Sequence, residues 1–295
     1  IFSDLFWDNL KGTGQTIMLK TQFDQAQTYQ FRYTHPWMFG KRRSFTLRSW
    51  YTDGNVVAIN PVNNQGDAFR QERARGHEVS IGVPINYNLR TTHTLMTEDV
   101  RLLELERSYD VFSYAFGITH DTRDFWANPR SGHQATIRLE QSMRFKSRSL
   151  EFTRYDVTLA KFFPTFEKQT IATRASFGFL NSPDLDRDLF TREFYRVGGS
   201  FTLRGYPDRN PVFFGNSRAI YSVEYRFLLN QMFTVVVFGD AGYATEGDDV
   251  LDWNRYRIGK GVGVRIQVPG LGPLRLDYGI GQENSYLHFN LGHTF

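Results

Sequence analysis

Arg218-Ala219-Ile220-Tyr221-Ser222-Val223-Glu224-Tyr225-Arg226-Phe227 is divided residue by residue. Ala219, Tyr221, Val223, Tyr225 and Phe227 fall on one side of an extended chain, while Arg218, Ser222, Glu224 and Arg226 dominate the other. Successive side chains of a strand point to opposite faces, so one face here meets an apolar phase and the other a polar one. The division recurs downstream. Ile258, Val262, Val264, Ile266 and Val268 oppose Arg257, Gly259, Gly261, Gly263, Arg265 and Gln267. Leu274, Leu276, Tyr278 and Ile280 oppose Arg275, Asp277 and Gly279. In the last strand Leu287, Phe289, Leu291 and Phe295 oppose Tyr286, His288, Asn290 and Thr294.

The same rule gives strands near 14–24, 27–38, 43–53, 77–87, 94–107, 110–122, 132–144, 149–163 and 168–181. Short connections at Leu229–Met232 and Gln282–Ser285 are assigned to one end, and the longer polar segments 54–76, 182–212 and 245–254 to the other. Short turns at one end and long loops at the other are the habit of outer-membrane barrels. With the stub at 1–8 the count is about fifteen, and bacterial single-chain barrels close with an even number. The expected fold is therefore all-β, a transmembrane antiparallel β-barrel of 16 strands whose first strand lies before residue 1. A soluble sandwich or ligand-binding barrel would share the alternation. It would turn its apolar face inward, against the Arg, Glu and Asp placed inside here and the Tyr and Phe placed at strand ends.

Composition agrees. The 295 residues are 16% aromatic, with 27 Phe, 15 Tyr, 25 Gly and no Cys, yet the mean hydropathy is −0.45. A barrel hides its apolar residues in alternate positions and so looks hydrophilic on average. A helical span would need roughly 18 apolar residues in a row, and the sequence has no such run. The net charge of +4 is scattered among acids, which does not favour nucleic acid as a partner. No Cys excludes a disulfide scaffold or thiolate site. The His residues lack metal-ligand spacing, no Gly-x-Ser-x-Gly elbow occurs, and the Gly259, Gly261, Gly263 series sits in a strand with no helix after it. The expectation is no enzyme, no catalytic residue, no metal and no cofactor. Ile1 follows no signal segment, so the sequence reads as a mature fragment or the ordered part of something longer.

Between the strands ending near Asn181 and starting near Ser217 lies Phe194-Tyr195-Arg196-Val197-Gly198-Gly199-Ser200-Phe201-Thr202-Leu203-Arg204-Gly205-Tyr206. A glycine pair followed by Leu203-Arg204-Gly205-Tyr206, five strands before the end, resembles the signature of the BamA/TamA superfamily of outer-membrane insertases and its relatives in two-partner secretion. Asn9 to Gln15, Tyr33 to Phe39, Asp121-Thr122-Arg123-Asp124 with Pro129 and Gly132, and Leu271 to Tyr278 resemble further turns and the penultimate strand of that family. The likeness covers nearly the whole chain and is closest to the C-terminal barrel domain of BamA. It implies one barrel domain over 1–295, with periplasmic POTRA domains upstream, and a segment 182–216 folding into the lumen.

A buried charge without a partner is very costly, so Arg204 enters a lumen only if it meets carboxylates. Glu224 and Asp240 face inward on the next strands, and the Arg fork can hold either or both. Gly198, Gly199 and Gly205 let the backbone turn tightly. The other reading leaves Arg204 solvated and the acids lining a wet lumen.

The resemblance implies assembly and insertion of β-barrel proteins, by membrane thinning and strand-edge templating at a lateral seam between the first and last strands. Gly292 and Phe295 are its seam residues here, Gly292 being either a kink that helps the seam part or room for a bulky lumen neighbour. The implied location is the bacterial outer membrane. The implied partners are unfolded outer-membrane proteins, outer-membrane lipids, and periplasmic chaperones and accessory lipoproteins reached through the N-terminal domains. The alternatives are a two-partner secretion exporter of a single protein and a TamA-like assembly factor for autotransporters.

Overall fold

A computed structural model gives the fold over residues 2–23, 26–58, 68–126, 128–183, 185–190, 192–208, 213–247, 249–268 and 272–291. The strands are β1 (Phe2–Leu10), β2 (Gln15–Phe23), β3 (Ala26–His35), β4 (Ser44–Ala58), β5 (Ala68–Pro84), β6 (Leu89–Leu102), β7 (Arg107–Asp121), β8 (Gly132–Ser142), β9 (Thr153–Phe166), β10 (Gln169–Asn181), β11 (Tyr195–Val197), β12 (Phe213–Gly215), β13 (Ser217–Leu228), β14 (Phe233–Thr245), β15 (Arg257–Val268), β16 (Gly272–Ile280) and β17 (Ser285–Leu291). Fifteen of them form one antiparallel sheet in chain order, while β11 and β12 make a small hairpin inside the connection between β10 and β13. The stub at 1–8 is β1, the first strand of that sheet.

The distribution of polarity is the reverse of a soluble protein's. Leu95, Ile137, Leu159, Val223, Val237, Val262, Leu287 and Phe289 are exposed, whereas Glu98, Glu140, Glu224, Arg226, Asp240, Arg265, Asp277 and His288 are buried. Large apolar side chains turned outward over so many strands need a lipid phase to cover them. The sheet is thus a transmembrane β-barrel wall with a charged interior. No described helix is long and apolar enough to cross a membrane.

Two sequence expectations are corrected. Segment 54–76 is mostly strand, since β4 continues to Ala58 and β5 begins at Ala68. Along β5 Gln71, Arg73 and Arg75 are exposed while Glu72 and Ala74 are buried, so the alternation persists with charge on both faces and no apolar stripe. The connection 281–284 lies at the end opposite to 229–232, because three strands, β14, β15 and β16, separate them. It therefore shares an end with 182–216 and 246–256, and the turns 11–14, 36–43, 85–88, 122–131, 167–168 and 229–232 mark the other.

The long connection 182–216 runs inside the sheet. It brings its own apolar core: Phe190, Phe194 and Phe214 pack with inward-facing Val100, Val111, Phe152 and Leu180. Each such ring contributes about 1.5–3 kcal/mol by leaving water. That core holds the segment in place on the β6–β10 side, ahead of the charged site.

Candidate functional site in the lumen

Beyond this aromatic core the segment turns toward β13–β16. Gly199 (φ +92°) and Gly205 (φ +95°) adopt left-handed backbone that L side chains resist. The turn is closed by Gly199 N–H donating to Leu203 O at 3.1 Å and Gly198 N–H donating to Thr202 Oγ1 at 2.9 Å. Leu203 is buried against Val197, Ile220 and Ala244. Tyr206 is also buried; its hydroxyl accepts from Gln282 N–H at 3.3 Å.

Arg204 has no solvent exposure. Its Nε donates to Asp240 Oδ2 at 2.7 Å and Nη2 to Asp240 Oδ1 at 2.8 Å, a two-pronged pairing. Nη1 donates to Glu224 Oε1 at 2.6 Å, and the backbone N–H reaches Asp240 Oδ2 at 3.1 Å. The guanidinium lies 3.5 Å from the centre of the Phe238 ring. The structure thus brings together all three charged residues singled out in the sequence.

It adds others. Asp277 Oδ2 is 3.9 Å from Arg204 Nη1. Arg265 bridges Asp277 at 2.6 Å and Glu224 at 3.1 Å, Arg226 meets Glu224 at 2.8 Å, and Arg275 meets Asp277 at 2.8 Å. Arg275 Nη2 also donates to Ser200 O at 2.9 Å, which fixes a second point of the loop. Four arginines thus share three carboxylates in a site screened from water. Such a cluster is stable only as a whole, because removing one partner strands the rest.

The backbone of the loop tip is received by glycines. A Cβ at Gly259 would overlap Arg204 O, and one at Gly279 or Gly281 would overlap the main chain of Gly205. Gly259 of β15, Gly279 of β16 and Gly281 just after it form the trough in which Arg204-Gly205 lies.

Two further anchors had no sequence reading. Arg192 pairs with Glu72 on β5, and its Nη2 donates to Glu98 on β6 at 2.8 Å. Arg154 on β9 joins Glu193 at 2.5 Å and Glu140 at 3.4 Å. Beyond the tip, Asp208 accepts from Ser200 N–H at 2.7 Å and pairs with His288 of β17 at 2.8 Å. Burial raises the Asp208 carboxyl, but the His288 and Ser200 hydrogen bonds outweigh it and hold it down at about 2. Gly292 and Phe295 lie outside the described residues. Among the described residues no group of three or more His, Cys, Asp or Glu is placed to hold a metal ion.

The sequence matches the Omp85 superfamily domain over residues 9–295. The chain belongs to the Omp85 superfamily. No curated protein matches the sequence. Among solved structures, this Omp85 chain is similar to BamA from Haemophilus ducreyi lacking POTRA domains 1–3, with a TM-score of 0.74 at 18% identity over 98% of this chain and 65% of that one. It is also similar to CdiB from Escherichia coli, at TM-score 0.69 and 14% identity over 99% of this chain and 57% of that one. CdiB from Acinetobacter baumannii follows at TM-score 0.66 and 13% identity over 99% and 56%. At such identities the likeness shows the fold, and this chain spans less than two thirds of the length of each of these structures. The Omp85 assignment places Leu203-Arg204-Gly205-Tyr206 inside a known family of outer-membrane barrels.

Proposed function

We propose that this chain is the barrel of an insertase that assembles β-barrel proteins into the bacterial outer membrane. The observation that carries the reading is the tethering of 182–216 to opposite parts of the wall: Arg192 to β5 and β6, and Arg204 to β13 and β14. Export through the lumen requires both anchors to be released, and breaking a buried pair costs about 3–5 kcal/mol each time. Work at the wall leaves them intact. An incoming strand would pair at the seam between the first and last strands by β-augmentation, with thinning of the surrounding membrane, and no covalent step is needed. Gly292 and Phe295 are the seam residues in this reading. Its partners are unfolded outer-membrane proteins and the lipids around the seam, together with chaperones and accessory lipoproteins reached through upstream POTRA domains.

The likeness to CdiB supports a second reading, a dedicated exporter of one protein, and a TamA-like assembly role is a third. The deciding experiment is depletion of the full-length protein in its native cell with quantitation of several unrelated outer-membrane barrels. Broad loss of barrels, with unfolded precursors in the periplasm, supports the insertase. Loss of one secreted protein with barrels unchanged overturns it in favour of the exporter.

A further inference from the structure

The consecutive strands β4, β5, β6 and β7 are long, with 15, 17, 14 and 15 residues. A transmembrane strand needs roughly 9–11, so these hairpins continue past the bilayer at the end that carries the long loops, the exterior end by the habit of such barrels. Their outward faces change with height. Val79 and Ile81 on β5, Leu95 on β6, and Tyr114 and Phe116 on β7 form the lipid-facing belt. Arg75 stands four residues beyond Val79, about 13 Å along the strand, and Tyr51 lies beside it.

At that height the register is unusual. Arg73 on β5 sits directly opposite Arg101 on β6, and Asp99 directly opposite Asp110 on β7. Like charges facing across an antiparallel pair repel. The acid pair has its counter-ion, because Arg148 donates to Asp99 at 2.8 Å and to Asp110 at 2.7 Å. The arginine pair is unequally served. Asp53 takes Arg73 at 2.7 Å, but Arg75 and Arg101 stand 3.6 Å from Asp99, and neither donates a hydrogen bond among the described residues. Their side chains are 65% and 53% exposed. Tyr51, Arg73, Arg75, Asp99 and Arg101 line a cavity of about 260 Å³.

We propose that this cavity binds the phosphate of a phosphorylated glycolipid of the outer leaflet, of the lipid A type. Asp99 stands between Arg75 and Arg101 at 3.6 Å from each without a hydrogen bond to either, so their exposed guanidinium forks keep donors that a phosphate on the outer side can take. The lipid's acyl chains then lie along Leu95 and Val79. The inference rests on the outer-membrane reading and is independent of whether the protein inserts or exports.

The test is native mass spectrometry of the full-length protein released from nanodiscs containing bisphosphorylated lipid A, compared with the same lipid after phosphate removal. Wild type retains lipid A, and Arg75→Gln with Arg101→Gln lowers occupancy about tenfold, equivalent to one good charged contact. Arg75→Lys with Arg101→Lys, which keeps charge but loses the fork, falls between. Arg42→Gln, at the opposite end of the barrel, leaves retention unchanged. Heat-modifiability on gels verifies that each variant is folded, and the single variants serve if the double one is not. Equal retention by wild type and the Gln variant, equal retention of the dephosphorylated lipid, or displacement of the lipid by millimolar inorganic phosphate overturns the proposal. These outcomes are read in purified material, so they are separable from the depletion experiment.

Discussion

The carbonyl oxygen of Arg204 occupies the space in which a side chain at Gly259 would begin. Main chain cannot swing aside as a long side chain can. Gly259→Ala therefore expels the loop tip or bends β15, at about 1–3 kcal/mol. Gly239, with nothing within 4 Å of its Cβ position on the outer face, accepts Ala without loss. Protease accessibility of 182–216 and urea unfolding in lipid distinguish the two variants; equal behaviour contradicts the trough.

Arg204→Glu places a fourth acid among Glu224, Asp240 and Asp277. The expected loss is at least the about 3–5 kcal/mol of a broken buried pair, read as a lower urea midpoint and reduced heat-modifiability. Glu224→Gln removes the carboxylate shared by Arg204, Arg226 and Arg265, so its cost is of the same order even though Arg204 keeps both contacts with Asp240. If Arg204→Glu assembled and worked as wild type does, the network would have no role in holding the loop.

Arg192 and Glu98 form the other tether. A double-mutant cycle on Arg192→Ala and Glu98→Ala is expected to give a coupling of about 0.5–3 kcal/mol, as for residues in one network. Arg192→Ala combined with Arg204→Ala frees the segment at both walls and raises proteolysis beyond either variant alone. Strict additivity of Arg192→Ala and Glu98→Ala counts against the tether.

The link between Asp208 and His288 predicts a pH window. A carboxyl depressed from 3.8 to about 2 stabilises the folded state above its ordinary value and loses that contribution as pH falls through the interval to about 2. The stabilisation that comes from ionising Asp208 is therefore complete above about pH 4 and declines below it. Asp208→Asn abolishes this acid limb. Limited proteolysis with an acid-active protease across that range provides the check.

Val262 faces outward between Val237 and Tyr278, in the lipid belt. Val262→Arg should destabilise the inserted barrel by about 2–4 kcal/mol if the site lies near the bilayer midplane. Unfolding from liposomes measures it, and a neutral result would move the belt elsewhere.

Much of this was legible in the sequence because lipid on one side and a charged lumen on the other leave a period-two mark. That mark fixed the alternating faces of β13–β17 and brought Arg204, Glu224 and Asp240 into one hypothesis. It failed at 54–76, where the strands rise out of the membrane, so that water touches the outer face while Glu72 and Ala74 are buried inside; Arg73 and Arg75 outside then look like loop residues. Asp277 carried the same mark as Glu224 but stood three strands further on. The Arg192 tether spans 120 residues to Glu72 and 94 to Glu98, and nothing local announces such a pairing. The aromatic core of the loop escaped notice because a polar-lumen reading has no place for Phe190 and Phe214. The end assignment of 281–284 required counting strands, not comparing turn lengths.

Because its carboxylate partners stand on β13, β14 and β16, Arg204 reaches full neutralisation only when those strands have been laid side by side. The glycines of β15 and β16 in turn leave a hollow that nothing but the loop's own backbone fills. Segment and wall thus complete each other: neither the buried charges nor the glycine hollow is satisfied until both are in place.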